Sequence, residues 1–180
     1  MRAYYYDNIP GDQRLPHDYI PSRPVSDETL SSINVKYWHI PVDGYEAKID
    51  AIAKERGYKN RDTINVSKEG MGDIYEEKIK TFFEEHMHED EEIRYVLSGS
   101  GFFDVREMPT DAWIRLAVEP GDLIVLPAGI YHRFTLDEKN AIQAMRLFQD
   151  EPKWIPHNRG DVTDVNPHRV EYLKTIGVGA

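Results

Sequence analysis

From His86 to Phe148 the chain is cut into short runs by turn-forming residues at nearly regular intervals, and this punctuation limits the fold more than any other feature. The runs cover residues 93–97, 102–106, 113–118, 123–126, 131–136 and 141–148. Between them stand Ser98-Gly99-Ser100-Gly101, Pro109 with Asp111, Pro120-Gly121-Asp122, Pro127 with Gly129, and Asp137 with Asn140. Breakers so closely spaced leave no room for a helix of ordinary length, whereas short strands joined by tight turns fit throughout. Such strands bury a common core as an antiparallel sandwich or barrel. The expected fold is mainly β: a jelly-roll-like β-barrel with a few peripheral α-helices.

The rest of the chain supplies the periphery. Tyr4 to Tyr6 reads as an edge strand, and Pro10, Pro16, Pro21 and Pro24 punctuate an irregular stretch that should wrap the surface. Ser26 is the expected N-cap of a short helix running to Ile33, and residues 35–40 read as a strand. Asp43 with Glu46, and Asp73 with Glu76, have capping-box spacing. Behind the first pair Tyr45, Ile49, Ile52 and Ala53 form a helical stripe ended by Gly57; behind the second come Tyr75, Ile79, Phe82 and Phe83. After Glu151 the chain is rich in proline and polar residues, with one short helix expected over 168–176. One domain is expected over 1–180, with 1–73 as a wrapping segment, 74–150 as a helix plus barrel strands, and 151–180 as a tail.

Composition matters here for what it removes. The absence of cysteine excludes thiolate nucleophiles, disulfides and sulfur-ligated metal sites. A formal net charge of −10 opposes phosphate backbones, so nucleic acid is not an expected partner. No segment approaches the roughly 18 consecutive apolar residues of a membrane span. The N-terminus lacks the apolar stretch, about 7–15 residues long, of a secretory signal. A soluble intracellular protein of 180 residues, enough for one substantial core, is expected.

Three of the seven histidines and one glutamate form the informative pattern. His86 and His88 are two apart, so along a strand both face one side. Glu92 follows after a short acidic turn, in even register with Arg94, and Gly121-x5-Pro127-x-Gly129-x2-His132 reads as strand, turn, strand, bringing a third imidazole to the same mouth. Three neutral imidazoles and one carboxylate suit Fe(II), Ni(II), Co(II) or Mn(II) in an octahedral field, with two positions left for water or a chelating substrate. His17, His39, His157 and His168 lack this context and read as bystanders. The other members of the acidic run 84–85 and 89–91 read as a solvated face.

The stretch His86-x-His88-x3-Glu92-x6-Gly99 resembles the first cupin motif, and Gly121-x5-Pro127-x-Gly129-x2-His132 resembles the second. Two positions depart: Lys80 replaces the glycine expected six residues before the first histidine, and Leu136 the asparagine expected four after the last. A closer resemblance, to the acireductone dioxygenase family, is carried by Glu84-Glu85-His86-Met87-His88-Glu89-Asp90-Glu91-Glu92-Ile93-Arg94-Tyr95, Gly101-Phe102-Phe103-Asp104-Val105-Arg106 and Leu126-Pro127-Ala128-Gly129-Ile130-Tyr131-His132-Arg133-Phe134. It extends to Ala144-Met145-Arg146-Leu147-Phe148, to Pro10-Gly11-Asp12 and to Glu151-Pro152-Lys153-Trp154, so it covers most of the chain.

This resemblance implies a cupin barrel and an enzyme of methionine salvage. Its substrates would be 1,2-dihydroxy-3-oxo-5-(methylthio)pentene and dioxygen, with His86, His88, Glu92 and His132 holding one Fe(II) or Ni(II). The iron form would yield 4-methylthio-2-oxobutanoate and formate; the nickel form 3-(methylthio)propanoate, formate and carbon monoxide. Arg94, two residues after Glu92 on the same face, is the expected catalytic cation for a chelated substrate dianion, with a structural ion pair as the competing role. Phe82 and Phe134 are candidates for the floor of a pocket around the methylthio tail, with ordinary core packing as the competing reading. A monomer in the cytoplasm, with the nucleus as a second location, completes the expectation. Two rivals stand beside it: another cupin dioxygenase or isomerase, and a non-catalytic cupin binding protein.

Overall fold

The computed structural model describes residues 1–151 and 155–179. Pro152, Lys153 and Trp154, three of the residues carrying the resemblance, lie outside the described residues. In chain order the elements are β1 (Arg2–Tyr5), α1 (Asp27–Ser32), β2 (Lys36–His39), α2 (Tyr45–Arg56), β3 (Asn60–Ser67), α3 (Lys68–Met71) and α4 (Tyr75–Phe82). Then come β4 (His86–Met87), β5 (Glu92–Gly99), β6 (Gly101–Glu107), β7 (Ala112–Val118), β8 (Asp122–Leu126), β9 (His132–Leu136), β10 (Ala141–Phe148), β11 (His157–Asn158), α5 (Asp161–Asp164) and α6 (Pro167–Thr175).

Two antiparallel sheets result, ordered β1-β7-β6-β9-β4-β11 and β2-β8-β5-β10-β3. Side-chain alternation decides what each strand contributes. Phe103, Val105, Ile114, Leu116 and Leu136 of the first sheet meet Val66, Val96, Ile124, Leu126 and Ile142 of the second in one core. The outward residues of the second sheet, Ile93, Tyr95, Leu123, Val125, Met145 and Leu147, are buried too, because α2 covers them with Ile49 and Ala53. Burial on both faces is why these strands read as nearly continuous apolar runs. The outer face of the first sheet is roofed by the N-terminal wrap. There buried Arg115 pairs bidentately with Asp104 and donates to the carbonyls of Gln13 and Leu15.

Ser26 caps α1 as expected, accepting from Thr29 N, and Gly57 ends α2 with φ 74°. The two expected capping boxes do not form. Gly44, in a left-handed conformation, precedes α2 directly and leaves Asp43 one residue out of position. α4 is entered through a 3-10 turn over Gly72–Ile74, so the backbone is already helical where an extended N-cap would be needed. β3, absent from the sequence reading, pairs with β10 along its whole length. It is an edge strand in which Ile64 and Val66 face the core while most of its other residues are exposed, so its sequence carries little apolar signal. The region after Glu151 holds β11, α5 and α6 against the barrel, more order than the sequence suggested.

Candidate metal centre and its cavity

His86 of β4 lies directly opposite His132 of β9, so two of the imidazoles are cross-strand neighbours. His88 follows Met87 beyond the end of β4, and Glu92 opens β5 in the other sheet. The ring centroids of His86, His88 and His132 lie 4.5 to 5.3 Å apart, with their ligating nitrogens within 4.8 Å of one another. Glu92 Oε2 lies 2.5 Å from His132 Nε2. The three imidazoles therefore converge, and Glu92 reaches them at the His132 edge.

Backbone carbonyls set the imidazole tautomers. Nδ1 of His86 donates to the Glu84 carbonyl (2.6 Å), that of His88 to the Ile155 carbonyl (3.2 Å) and that of His132 to the Ile130 carbonyl (2.9 Å). In the neutral ring an Nδ1 occupied as a donor leaves Nε2 with its lone pair, the arrangement by which metal-binding histidines are oriented. Burial, then the neighbouring His132, pushes the His86 imidazole down to about 4; burial also lowers His88. Burial opposes the Glu92 charge, yet Arg94, His132 and His88 together hold its carboxyl well below the usual range. Neutral imidazoles and an ionised carboxylate are the protonation states that metal binding needs.

The residues also pass a direct test of fit to a cation. Glu92 Oε2 and His132 Nε2 are buried and in contact, yet neither has a hydrogen-bond partner among the described residues. A contact this close between two such atoms needs a positive centre shared by both, either a proton on Nε2 or a metal ion. The three histidines form a group able to hold a metal ion, and Glu92 beside His132 offers it a carboxylate.

The centre opens into a cavity of about 530 Å³. Phe82 and Phe134 line it as expected, with Ile64, Val66, Val96 and Phe103 beside them. The Phe134 ring stands 4.8 Å from Phe103 and 6.2 Å from Phe82, so both pocket phenylalanines also pack against the core, and the two readings of them coexist. Arg94 lines the cavity while its Nη2 lies 2.8 Å from Glu92 Oε1. The structural ion pair thus forms, and the same side chain borders the cavity.

Sequence reasoning missed several neighbours. Arg146, opposite Arg94 in the register of β10 and β5, lines the same cavity and pairs with Asp62. An arginine inside the otherwise apolar run Ala144 to Phe148 was the available signal. The Ile155 carbonyl lies far along the chain and had none. The acidic run is not simply a solvated face. Glu85 pairs with Arg106 and Arg159, and Glu91 with Arg56. Among the four bystander histidines, His17 is buried and bonded to Asp7 and the Asp12 carbonyl, and none joins the metal cluster.

The model of the ARD/ARD′ family matches residues 2–156. Acireductone dioxygenase 1 of Coprinopsis cinerea is 72% identical over 180 residues, which is the whole of both chains. Acireductone dioxygenase of Aspergillus fumigatus is 60% identical over 98% of this chain and 97% of its own. Among solved structures, acireductone dioxygenase from Bacillus anthracis with a cadmium ion in its active center superposes with a TM-score of 0.62 at 26% identity, over 76% of this chain and 92% of that one. With a cupin-type double sheet, convergent histidines and relatives this similar along its full length, the chain belongs to the acireductone dioxygenase (ARD/ARD′) family.

Proposed function

We propose that this protein is the metal-dependent acireductone dioxygenase of methionine salvage, with His86, His88, Glu92 and His132 as the ligands of one Fe(II) or Ni(II). The observation that carries the reading is the tautomer set. Three imidazoles, each committed through Nδ1 to a carbonyl, leave three Nε2 lone pairs beside an ionised Glu92 at the end of an apolar cavity. The cadmium ion in the Bacillus anthracis relative supports a divalent metal at this place.

When bound, the metal supplies a Lewis-acidic centre that favours the doubly deprotonated enediol and its reaction with dioxygen. The chain's own part is positioning and charge. Glu92 reduces a +2 charge to +1, and Arg94 adds one positive charge in the cavity wall, so the site complements a −2 substrate. The Arg94 guanidinium donates to Glu92 and is placed to donate to a substrate oxygen. Phe82, Phe103 and Phe134 receive the methylthio tail and keep water from the reacting carbons. Two product sets conserve atoms: 4-methylthio-2-oxobutanoate with formate under iron, and 3-(methylthio)propanoate, formate and carbon monoxide under nickel. A monomer acting in the cytoplasm, with a nuclear fraction, belongs to the same reading.

The test is oxygen uptake with chemically generated acireductone by apo-protein reloaded with Fe(II) or Ni(II), followed by product analysis. Oxo acid from the iron form and carbon monoxide from the nickel form are expected. Metal-loaded protein that consumes no oxygen would overturn the substrate assignment.

A further inference from the structure

We infer that Arg169, on the C-terminal helix α6, is a positioning residue for the metal centre: it fixes the Gly129 turn that joins two of the histidines. The inference rests on the reading of His86, His88, Glu92 and His132 as ligands.

Three hydrogen bonds make this turn the link between His88 and His132. Gly129 N donates to the His88 carbonyl at 3.0 Å, so the turn holds the backbone of one ligand. The next carbonyl, that of Ile130, accepts from Nδ1 of His132 at 2.9 Å, so the turn orients the ring of another. Between these two contacts the Gly129 carbonyl points the other way and accepts from Arg169 Nη1 at 3.0 Å. Both peptide planes flanking Gly129 are thereby tied, one to His88 and one to α6.

The turn sits close against α6. Gly129 has φ +85°, and a Cβ there would lie 2.5 Å from the His168 carbonyl oxygen and 2.8 Å from Tyr172 Cβ. The backbone of α6 is therefore seated directly on the turn. Asn166 caps that helix by accepting from His168 N, which places Arg169 in the first turn, over Gly129.

Stability alone does not account for an arginine here. Arg169 is 3% exposed and forms no ion pair among the described residues; the Asp164 carboxylate, hydrogen-bonded to Tyr131, acts on it only at longer range. Its guanidinium stacks 4.2 Å from the centre of the Tyr131 ring, and its one hydrogen bond among the described residues is to Gly129. A buried cation without an acidic partner is costly, and an apolar side chain of similar length fills such a space with no desolvation penalty. What the apolar chain lacks is the donor to the Gly129 carbonyl. His86 and Glu92 are held independently, by the Glu84 carbonyl and by Arg94, so losing Arg169 loosens part of the ligand set and leaves the rest in place.

The test uses the full chain, stripped of metal and titrated with Co(II), whose visible absorption reports the ligand field without any turnover. Arg169→Met is expected to melt within a few degrees of the wild type or above it. Its Co(II) dissociation constant should rise about 10- to 100-fold, the usual effect of removing a group that orients a metal ligand, with a changed cobalt spectrum. A folded Arg169→Met variant with the wild-type spectrum and a dissociation constant within twofold would overturn the inference. Should that variant not fold, Arg169→Lys takes its place. An ammonium cannot stack flat on Tyr131 while reaching the carbonyl, so weaker cobalt binding is again expected and unchanged binding overturns the idea. The ligand reading fails differently: either the wild type binds no stoichiometric cobalt, or His88→Ala binds it as well as the wild type does.

Discussion

Arg94 Nη2 lies 2.8 Å from Glu92 Oε1, while the other oxygen of that carboxylate is turned away from it, towards His132. One carboxylate thus faces a fixed cation on one side and the candidate metal position on the other. The two oxygens divide the work, and Arg94 stands where both the ligand and a bound substrate would feel its charge.

Arg94→Ala is therefore expected to keep its metal and lose turnover. Hydrogen bonds to charged groups are worth about 1.5–3 kcal/mol, so kcat/KM should fall about 10- to 150-fold. Steady-state oxygen uptake beside metal analysis checks this, and unchanged kinetics would leave Arg94 a purely structural partner of Glu92.

His88→Ala should lose bound metal and activity together. In the wild type, saturating metal binds the folded chain and not the unfolded one, so melting should rise on loading, by the equivalent of about 2.7 kcal/mol at a hundredfold excess over the dissociation constant. Scanning calorimetry of metal-free and loaded forms measures it. Normal metal content with a normal rate in His88→Ala would remove His88 from the ligand set.

Phe134→Ala enlarges the cavity between Phe82 and Phe103. Removing a buried aromatic face costs about 1.5–3 kcal/mol of apolar contact, so KM for the methylthio substrate should rise roughly tenfold or more. An acireductone without the tail should be affected far less. Equal losses for both substrates would mean that the ring is only core.

Acid should weaken the union of β3 with β10. Arg146, bonded to Asp62 through both carboxylate oxygens, holds that carboxyl below its ordinary value. The stabilisation is complete above the ordinary carboxylate value and disappears as pH falls through the lowered one. Urea midpoints measured from pH 6 to pH 3 should drop less in Asp62→Asn than in the wild type; parallel curves would show that the pair contributes nothing.

The strand pattern from β5 to β10 and the candidate ligands were legible in the sequence, because each strand and each of the two ligand-bearing motifs carries its own local signal. Alternation sets which side chains share a face, and His86, His88 and Glu92 lie within seven residues of one another along the chain. The capping boxes at Asp43 and Asp73 failed because a cap depends on the backbone angles with which the chain enters the helix, and Gly44 and the Gly72–Ile74 turn changed them. β3 was invisible because an edge strand needs few apolar residues when its neighbour supplies the pairing.

What the sequence by itself determined was the chemistry available: which residues are candidates to bind metal, which lie in a barrel, and which family the chain resembles. Only the tertiary structure decided how those donors are aimed. The Ile155 carbonyl that orients His88 lies 67 residues along the chain from it, and the Arg169 contact to Gly129 spans 40. A hydrogen bond between segments so distant has no signature in either of them, because it exists only once both sheets and the C-terminal helix have packed. Packing then supplies what composition cannot: burial disfavours the charged forms of His86 and His88, while Arg94 keeps the Glu92 carboxyl ionised against that same burial.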